Sequence, residues 1–274
     1  MTSLGSVRNI ARAGAFLALR SIARRLSPAV QNTPVESATR WLGFFEAPAP
    51  AEVVANYLRG YLLFGRRNPY GEWFHWYRLP ARSVIARETA HVPRRQRPLI
   101  HREDVEFRYN QDFELVMRHC QEGRDGWLTD EAVAVYRKMH TLGLIGIVGT
   151  YREGRLAGGF WGLSVGRVFA IMSMFHLEKS AGSLALAALA DSLRNGGRWA
   201  WIDCGGPGGH WDRYGAQNLS VEDFAALVTS QLFLPQDSTA YSSWIAAKSG
   251  PAAHSPIGKA VASSCADADP GFGR

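Results

Sequence analysis

Ala157-Gly-Gly-Phe-Trp-Gly162 opens the stretch that decides the fold, and Val168-Phe-Ala-Ile-Met-Ser-Met-Phe175 continues it. An Ala/Leu-rich run from Ser183 to Asn195 follows, and then Trp201-Ile-Asp-Cys204. Short apolar runs separated by turn residues predict strands, whereas the longer Ala/Leu-rich run has the periodicity of a helix. The stretch therefore predicts strand, strand, helix, strand, with a carboxylate, Asp203, where the last strand ends.

The remainder of the chain predicts more elements of both kinds. Thr129 is a helix-capping residue placed directly before the helix that starts at Asp130. Alternating apolar residues in Val105–Tyr109 predict a strand. The full set comprises helices over 53–63, 112–120, 130–139 and 224–233, and strands over 72–77, 82–86, 105–109, 144–151 and 156–163. This order predicts an α+β fold in which helices pack on a mostly antiparallel sheet.

Composition limits the function classes. The chain has 274 residues and a net charge of +7, and all but four of its 31 cations are Arg. Arginine pairs bidentately with phosphate, so this balance favours nucleic acid or anionic lipid as a partner; codon bias is the alternative explanation. The three cysteines form no CxxC pattern, which argues against a zinc site or a disulfide framework and favours a reducing compartment. No run of 18 apolar residues is present to span a membrane.

Two basic segments carry much of the charge. Residues 1–26 contain five arginines and no acid, which suits an amphipathic arm on a membrane or RNA, an organelle transit peptide, or an unstructured extension. Arg94, Arg95 and Arg97 follow an aromatic run, 73–77. Arginine beside aromatic residues is typical of a nucleic-acid surface, and a solvated basic loop is the alternative.

Several motifs resemble the leucyl/phenylalanyl-tRNA–protein transferase family. They are Tyr57-Leu-Arg-Gly60, Gly126-Trp-Leu-Thr129, Leu156-Ala-Gly-Gly-Phe-Trp-Gly162, Ser173-Met-Phe175 and Ile202-Asp-Cys204, in the family's order. The resemblance implies an acyltransferase domain of the GNAT type behind a small N-terminal domain. The implied division is a basic extension over 1–45, an N-terminal domain over 46–103, the GNAT-like domain over 104–236, and a disordered tail over 237–274.

The resemblance also implies a site. Asp203 is the implied catalytic residue, which orients or deprotonates the attacking amine; the alternative is that it caps a loop or pairs with an arginine. The family's Gln after Asp-Cys is Gly205 here, and its Glu before Ser-Met-Phe is Met172. A nucleophilic Cys204 is weighed against a core cysteine, and aromatic or Met contacts against ordinary core packing. The substrate-binding candidates are Trp76, Trp127, Tyr136, Gly159, Met172, Ser173, Met174 and Phe175, and the tRNA-binding candidates are Arg82, Arg94, Arg95 and Arg97.

The implied reaction moves a Leu- or Phe-like amino acid from aminoacyl-tRNA to the N-terminal α-amine of an acceptor protein. It needs no cofactor and no metal, and we expect a cytoplasmic monomer whose basic arm contacts anionic membrane. Two alternatives stay open: an acceptor that is another amine, on a peptide, small molecule or lipid, and a non-catalytic tRNA-binding relative. A coenzyme-A-dependent acetyltransferase is disfavoured because Lys179–Leu184 lacks the glycine-rich loop that would cradle a pyrophosphate.

Overall fold

The structure is a computed structural model that describes residues 46–68, 71–122 and 126–232. The predicted basic extension over 1–45 and the predicted tail over 237–274 lie outside these ranges, as do the structural expectations attached to them.

Five α-helices and nine strands are defined within the described residues. The helices are α1 (Pro50–Leu58), α2 (Phe113–Gln121), α3 (Asp130–Thr141), α4 (Ala181–Arg194) and α5 (Val221–Gln231), with short 3₁₀ turns at Leu99–His101 and Asp212–Tyr214. The strands are β1 (Tyr61–Asn68), β2 (Gly71–Arg78), β3 (Ala81–Ala86), β4 (Val105–Tyr109), β5 (Ile145–Arg152), β6 (Arg155–Val165), β7 (Val168–His176), β8 (Trp201–Asp203) and β9 (Ala216–Ser220).

The strands form two sheets. Strands β1 and β2 make an antiparallel hairpin, and the other seven lie in the order β4-β5-β6-β7-β8-β3-β9. Every pairing in the larger sheet is antiparallel except β7 with β8, which α4 connects. The predicted α+β class with a mostly antiparallel sheet is confirmed.

Side chains of the larger sheet alternate between two cores, as the two-residue period of a strand requires. Ile147 and Trp161 point into one core, which they share with α1, α2, α3, α5 and the hairpin. Val148 and Phe160 point into the other, which α4 covers. The sheet therefore lies between α4 on one side and the remaining helices with the hairpin on the other.

Several predicted bounds are wrong at the N-terminal end. The helix predicted over 53–63 ends at Leu58, because Gly60 takes a positive φ of 84° and turns the chain into β1, a strand that was not predicted. Strand β3, which precedes the predicted domain boundary at 103/104, pairs with both β8 and β9 in the larger sheet. The polar strand β9 was also missed, because its residues are half-buried or exposed and show no apolar alternation.

Candidate functional site

A cleft of about 670 Å³ opens between the end of α2, the segment before α3 and the end of β7. This volume lies in the range of small-molecule sites. Aromatic, histidine and short polar side chains share its wall. The lining residues are His119, Cys120, Gln121, Glu122, Gly126, Trp127, Leu128, Ser173, Met174, Phe175, His176 and Leu177.

Trp127 is held in the cleft wall by other aromatic rings. Its ring centroid lies 4.7 Å from that of Phe64 on the hairpin and 6.0 Å from that of Trp161 on β6. Its carbonyl oxygen accepts a 2.9 Å hydrogen bond from the backbone N–H of Gly65. The hairpin therefore positions the one predicted Trp that reaches the cleft.

A bulge in β7 sets the direction of the other predicted lining residues. Ser173 pairs with Trp161, and Ile171 pairs with Gly162, so that Met172 is the extra residue between them. An extra residue changes the side-chain alternation and re-aims the residues that follow it. Ser173, Met174 and Phe175 line the cleft, whereas the half-buried Met172 packs against the core.

Three further predicted substrate contacts do not line this cleft. Tyr136 is completely buried, and its hydroxyl donates a 2.8 Å hydrogen bond to the carbonyl of Leu63. Gly159 lies inside the sheet, where a Cβ would come within 2.4 Å of the carbonyl oxygen of Val148. Trp76 is partly buried and packs against the core from the hairpin. Packing, rather than ligand contact, accounts for these three residues and for Met172.

Asp203 lies in the core with no exposed surface. Its Oδ1 accepts hydrogen bonds from the Nε of Arg82 at 3.2 Å and the backbone N–H of Gly205 at 2.9 Å. Its Oδ2 accepts from the hydroxyl of Tyr57 at 3.0 Å and from a terminal guanidinium nitrogen of Arg82. The carboxylate is thus paired with an arginine and caps the turn at Gly205, as the alternative interpretation had it. It does not face the cleft, so direct proton transfer from a substrate amine to Asp203 is not available in this arrangement.

The prediction that Arg82 binds tRNA is wrong. Its side chain is 1% exposed and forms an ion pair with Asp203. Its guanidinium carbon lies over the Phe224 ring, 4.4 Å from the ring centre. A buried charge must be paired, and this pairing leaves no route to a phosphate. Arg94, Arg95 and Arg97, by contrast, are exposed on the loop between β3 and β4.

The two described cysteines are unsuited to nucleophilic chemistry. Burial raises the pKa of the Cys120 thiol to about 12. Burial, followed by the charge of Asp203, raises the pKa of the Cys204 thiol well above its ordinary value. Because the thiolate is the reactive form, both act as core residues, which confirms that interpretation for Cys204.

Two histidines, His119 and His176, line the cleft, and neither was predicted to be functional. His119 and Glu122 lie three residues apart at the end of α2, and their side chains meet at 3.1 Å. That spacing places residues on one face of a helix, which is the signal that could have found the pair. Within the described ranges no group of three or more His, Cys, Asp and Glu side chains is arranged to hold a metal. In the same ranges no helix is both long and apolar enough to cross a bilayer.

The helix-flanked antiparallel sheet and the aromatic cleft beside its bulged strand define an α+β protein with a site for a small, partly apolar group. A family model described as "Leucyl/phenylalanyl-tRNA protein transferase" matches residues 84–229. The chain belongs to this family.

Curated relatives named leucyl/phenylalanyl-tRNA–protein transferase extend the match. The relative from Rubrobacter xylanophilus is 32% identical over 186 residues, which cover 68% of this chain and 95% of that protein. The relative from Prosthecochloris aestuarii is 32% identical over 177 residues, which cover 63% of this chain and 90% of that protein. A solved structure of a functionally unknown protein from Staphylococcus epidermidis, 12% identical, covers 62% of this chain and 64% of that protein with a TM-score of 0.36, too low to support an argument.

Proposed function

We propose that this protein is an aminoacyltransferase that moves a Leu- or Phe-like amino acid from aminoacyl-tRNA to the N-terminal α-amine of an acceptor protein. Family membership, with nearly the whole length of the Rubrobacter relative covered, is the observation that carries the proposal. An aminoacyl ester is already activated, so the enzyme has mainly to hold two reactants together and to move one proton.

The cleft is the proposed binding site for the transferred amino acid. Trp127 and Phe175 offer aromatic surface to an apolar side chain, and Ser173 offers a hydroxyl to the backbone of the amino acid or to the ribose. The cleft volume of about 670 Å³ exceeds what an amino acid side chain occupies, so part of the terminal adenosine fits as well. Stacking a base on an aromatic ring contributes about 1–3 kcal/mol.

Asp203 is proposed as a positioning residue. It holds the backbone N–H of Gly205, and with it the turn that follows β8. Through Arg82 and Tyr57 it also ties β8 to β3 and α1. Its contribution to transfer is therefore indirect, by fixing the elements that carry the loop at residues 205–209.

The test uses the full-length protein with Leu-tRNA or Phe-tRNA carrying a radiolabelled amino acid, and a peptide with an N-terminal Arg or Lys. Labelled peptide supports the proposal. Intact donor and unlabelled peptide, with the protein folded by circular dichroism, contradict it. The same peptide with an acetylated N-terminus is the control, because it lacks the attacking amine.

A second candidate keeps the tRNA donor and changes the acceptor to another amine. The glycine at 205 favours it, because the family's Gln would contact the amine at this point and the adjacent Asp203 is closed off by its own partners. Consumption of the labelled donor in excess of its spontaneous hydrolysis, with no labelled peptide, is the outcome that selects this candidate. Tight tRNA binding without donor consumption selects a non-catalytic relative.

The finer architecture is proposed on the same resemblance. The domain over 104–236 is of the GNAT type, and the small N-terminal domain contributes α1 and the hairpin, with β3 joining the larger sheet. We further propose that the protein acts as a cytoplasmic monomer and that the basic arm, residues 1–26, contacts anionic membrane. Sedimentation of the full chain without vesicles tests whether it is a monomer. Sedimentation with phosphatidylserine vesicles tests the membrane contact.

A further inference from the structure

The two histidines of the cleft present opposite hydrogen-bonding groups. His176, at the end of β7, accepts a 2.9 Å hydrogen bond at Nδ1 from the backbone N–H of Gly182. Burial lowers the pKa of His176, which favours the neutral ring. In a neutral imidazole whose Nδ1 accepts, Nε2 carries the proton. His176 can therefore donate a hydrogen bond in the cleft but has no lone pair for an incoming proton.

His119 has the other arrangement. Its Nδ1 lies 3.1 Å from a carboxylate oxygen of Glu122, and because a carboxylate only accepts, Nδ1 carries the proton. Its Nε2 then has a lone pair that can accept a proton. The ring stacks on Phe175 at 5.2 Å with an interplanar angle of 24°, and the side chain is 18% exposed. A fixed ring with an unprotonated acceptor nitrogen and an orienting carboxylate is the arrangement of a general base.

We propose that His119 is the proton acceptor for the attacking amine and that Glu122 is the residue that positions it. This inference rests on the proposed aminoacyl transfer. The other candidates in or near the cleft are unsuitable: Asp203 is buried beneath four hydrogen bonds, and Cys120 is a buried thiol. The titratable groups that face the cleft together with His119 are Cys120, Glu122 and His176.

The proton balance of the step is closed without a further reactant. The lone pair of the neutral α-amine attacks the ester carbonyl and forms the C–N bond, and the nitrogen becomes positively charged. Nε2 of His119 takes a proton from that nitrogen. The bond between the carbonyl carbon and the ribose 3′-oxygen then breaks, Nε2 returns the proton to that oxygen, and His119 is neutral again. General acid–base help of this kind contributes about 10²- to 10⁴-fold to a rate.

The test compares His119→Gln, His119→Ala and Glu122→Gln with the wild type in the labelled-peptide assay. We expect His119→Gln to lower kcat by about 10²-fold or more, with KM for the aminoacyl-tRNA changed by no more than about two-fold. Free imidazole should restore part of the activity of His119→Ala, and Glu122→Gln should lose less than His119→Gln. His101→Gln, an exposed histidine on the 3₁₀ turn at Leu99–His101 and outside the Arg94–Arg97 segment, is the matched control and should behave as wild type.

The outcomes separate this inference from the proposed function. A wild type that labels peptide and a His119→Gln variant with kcat within about two-fold of it overturn the inference and leave the function intact. A wild type that labels no peptide overturns the function itself. A merely structural role predicts that free imidazole does not restore activity to His119→Ala, so an activity loss without rescue also counts against His119 as the base.

Discussion

Asp203 and Arg82 form a buried ion pair, and the residues around it leave no room for water. Tyr57 and Gly205 supply the remaining hydrogen bonds to the carboxylate, and the Phe224 ring covers the guanidinium. Burial, followed by the charge of Asp203, raises the pKa of Tyr57 well above its ordinary value, so the hydroxyl stays a donor. Removing one member of such a group leaves the other charge buried and uncompensated.

We predict that Arg82→Met lowers the free energy of unfolding by about 3–5 kcal/mol, because Asp203 loses its counter-charge in the core. Urea unfolding followed by circular dichroism measures the change. Arg137→Met is the matched control: its partner Glu114 is at the surface, and we expect no measurable loss. An equal midpoint for Arg82→Met and the wild type would show that the pair is solvated in solution.

At the scale of the element, the hairpin of β1 and β2 makes two functionally different contacts. It packs its apolar face on the core through Leu63 and Phe74, and it contacts the segment that carries Trp127. Gly65 makes the second contact close enough for a backbone hydrogen bond. A Cβ at this position would lie 2.5 Å from Oγ1 of Thr129 and 2.8 Å from the carbonyl oxygen of Trp127.

Gly65→Ala is therefore expected to push the Trp127 segment away from the hairpin and to raise KM for the aminoacyl-tRNA. Overpacking of this kind usually costs about 1–3 kcal/mol, so the variant should also unfold at lower urea. Steady-state transfer kinetics and urea melts check the two effects. Gly154→Ala, on the β5–β6 turn, is the control: its φ of 75° strains an added side chain but no atom lies within 4 Å, so it should lower stability without raising KM. An unchanged KM in Gly65→Ala would show that the hairpin does not position the cleft wall.

The hairpin also holds a buried histidine, His75, whose Nδ1 has no hydrogen-bond partner among the described residues. Burial, and then the charge of Arg66, lowers the pKa of His75 from 6.5 to about 4. The unfolded chain therefore binds a proton between these values that the folded chain does not, so stability falls as pH drops from about 6.5 to about 4.

We predict that His75→Phe reduces this loss of stability on acidification. The substitution removes a group that binds a proton in the unfolded chain but not in the folded chain over this pH window. Urea midpoints measured across the same pH window give the slope for each protein. Burial also lowers the pKa of His140 and of His176, so these residues contribute to the wild-type slope of stability against pH. The contribution of His75 is therefore the difference in slope between His75→Phe and the wild type. Tyr77→Phe on the same hairpin is the control. A slope shared by His75→Phe and the wild type would refute the assignment.

The elements that the sequence predicts well are those whose signals are local. Thr129 does cap α3, accepting a hydrogen bond from the backbone N–H of Ala132, and β4 has the predicted bounds. The family motif at Trp127 and at Ser173–Phe175 also led to the cleft. The features that were predicted wrongly depend on contacts between residues far apart in the sequence. The bulge at Met172 is a matter of register with β6, and the burial of Arg82 depends on Asp203, 121 residues away.

At the scale of the whole molecule, the two sides of the larger sheet have different roles. The side under α4 is a closed core in which Phe160, Phe169 and Trp199 pack ring against ring. The side with the hairpin, α2 and α3 carries the cleft. The transfer reaction needs in addition a surface that holds the body of a tRNA, and the exposed arginines of the β3–β4 loop are the remaining candidates for it from the sequence analysis.

The net charge of +7 predicts attraction to RNA but does not say where it binds. In the β3–β4 loop Arg94 and Arg95 are exposed, while the Nε of Arg97 donates a 3.0 Å hydrogen bond to the carbonyl of Val92 and so holds the turn. Two exposed guanidinium groups on a turn held by this hydrogen bond are suited to phosphate, because they pair bidentately and the loop loses little entropy on binding.

We predict that the double variant Arg94→Ala/Arg95→Ala binds uncharged tRNA more weakly than the wild type and with a smaller salt dependence. Each lost phosphate contact should reduce the slope of log K against log salt concentration by about 0.7–0.9. Filter binding between about 50 and 200 mM salt measures both quantities. Arg155→Ala, at the start of β6 with an 81% exposed side chain, removes a charge outside the β3–β4 loop and is the matched control. If both proteins lose affinity to the same degree per charge, the attraction comes from the overall field and not from this loop. A loss confined to the double variant places the tRNA backbone against residues 94 and 95.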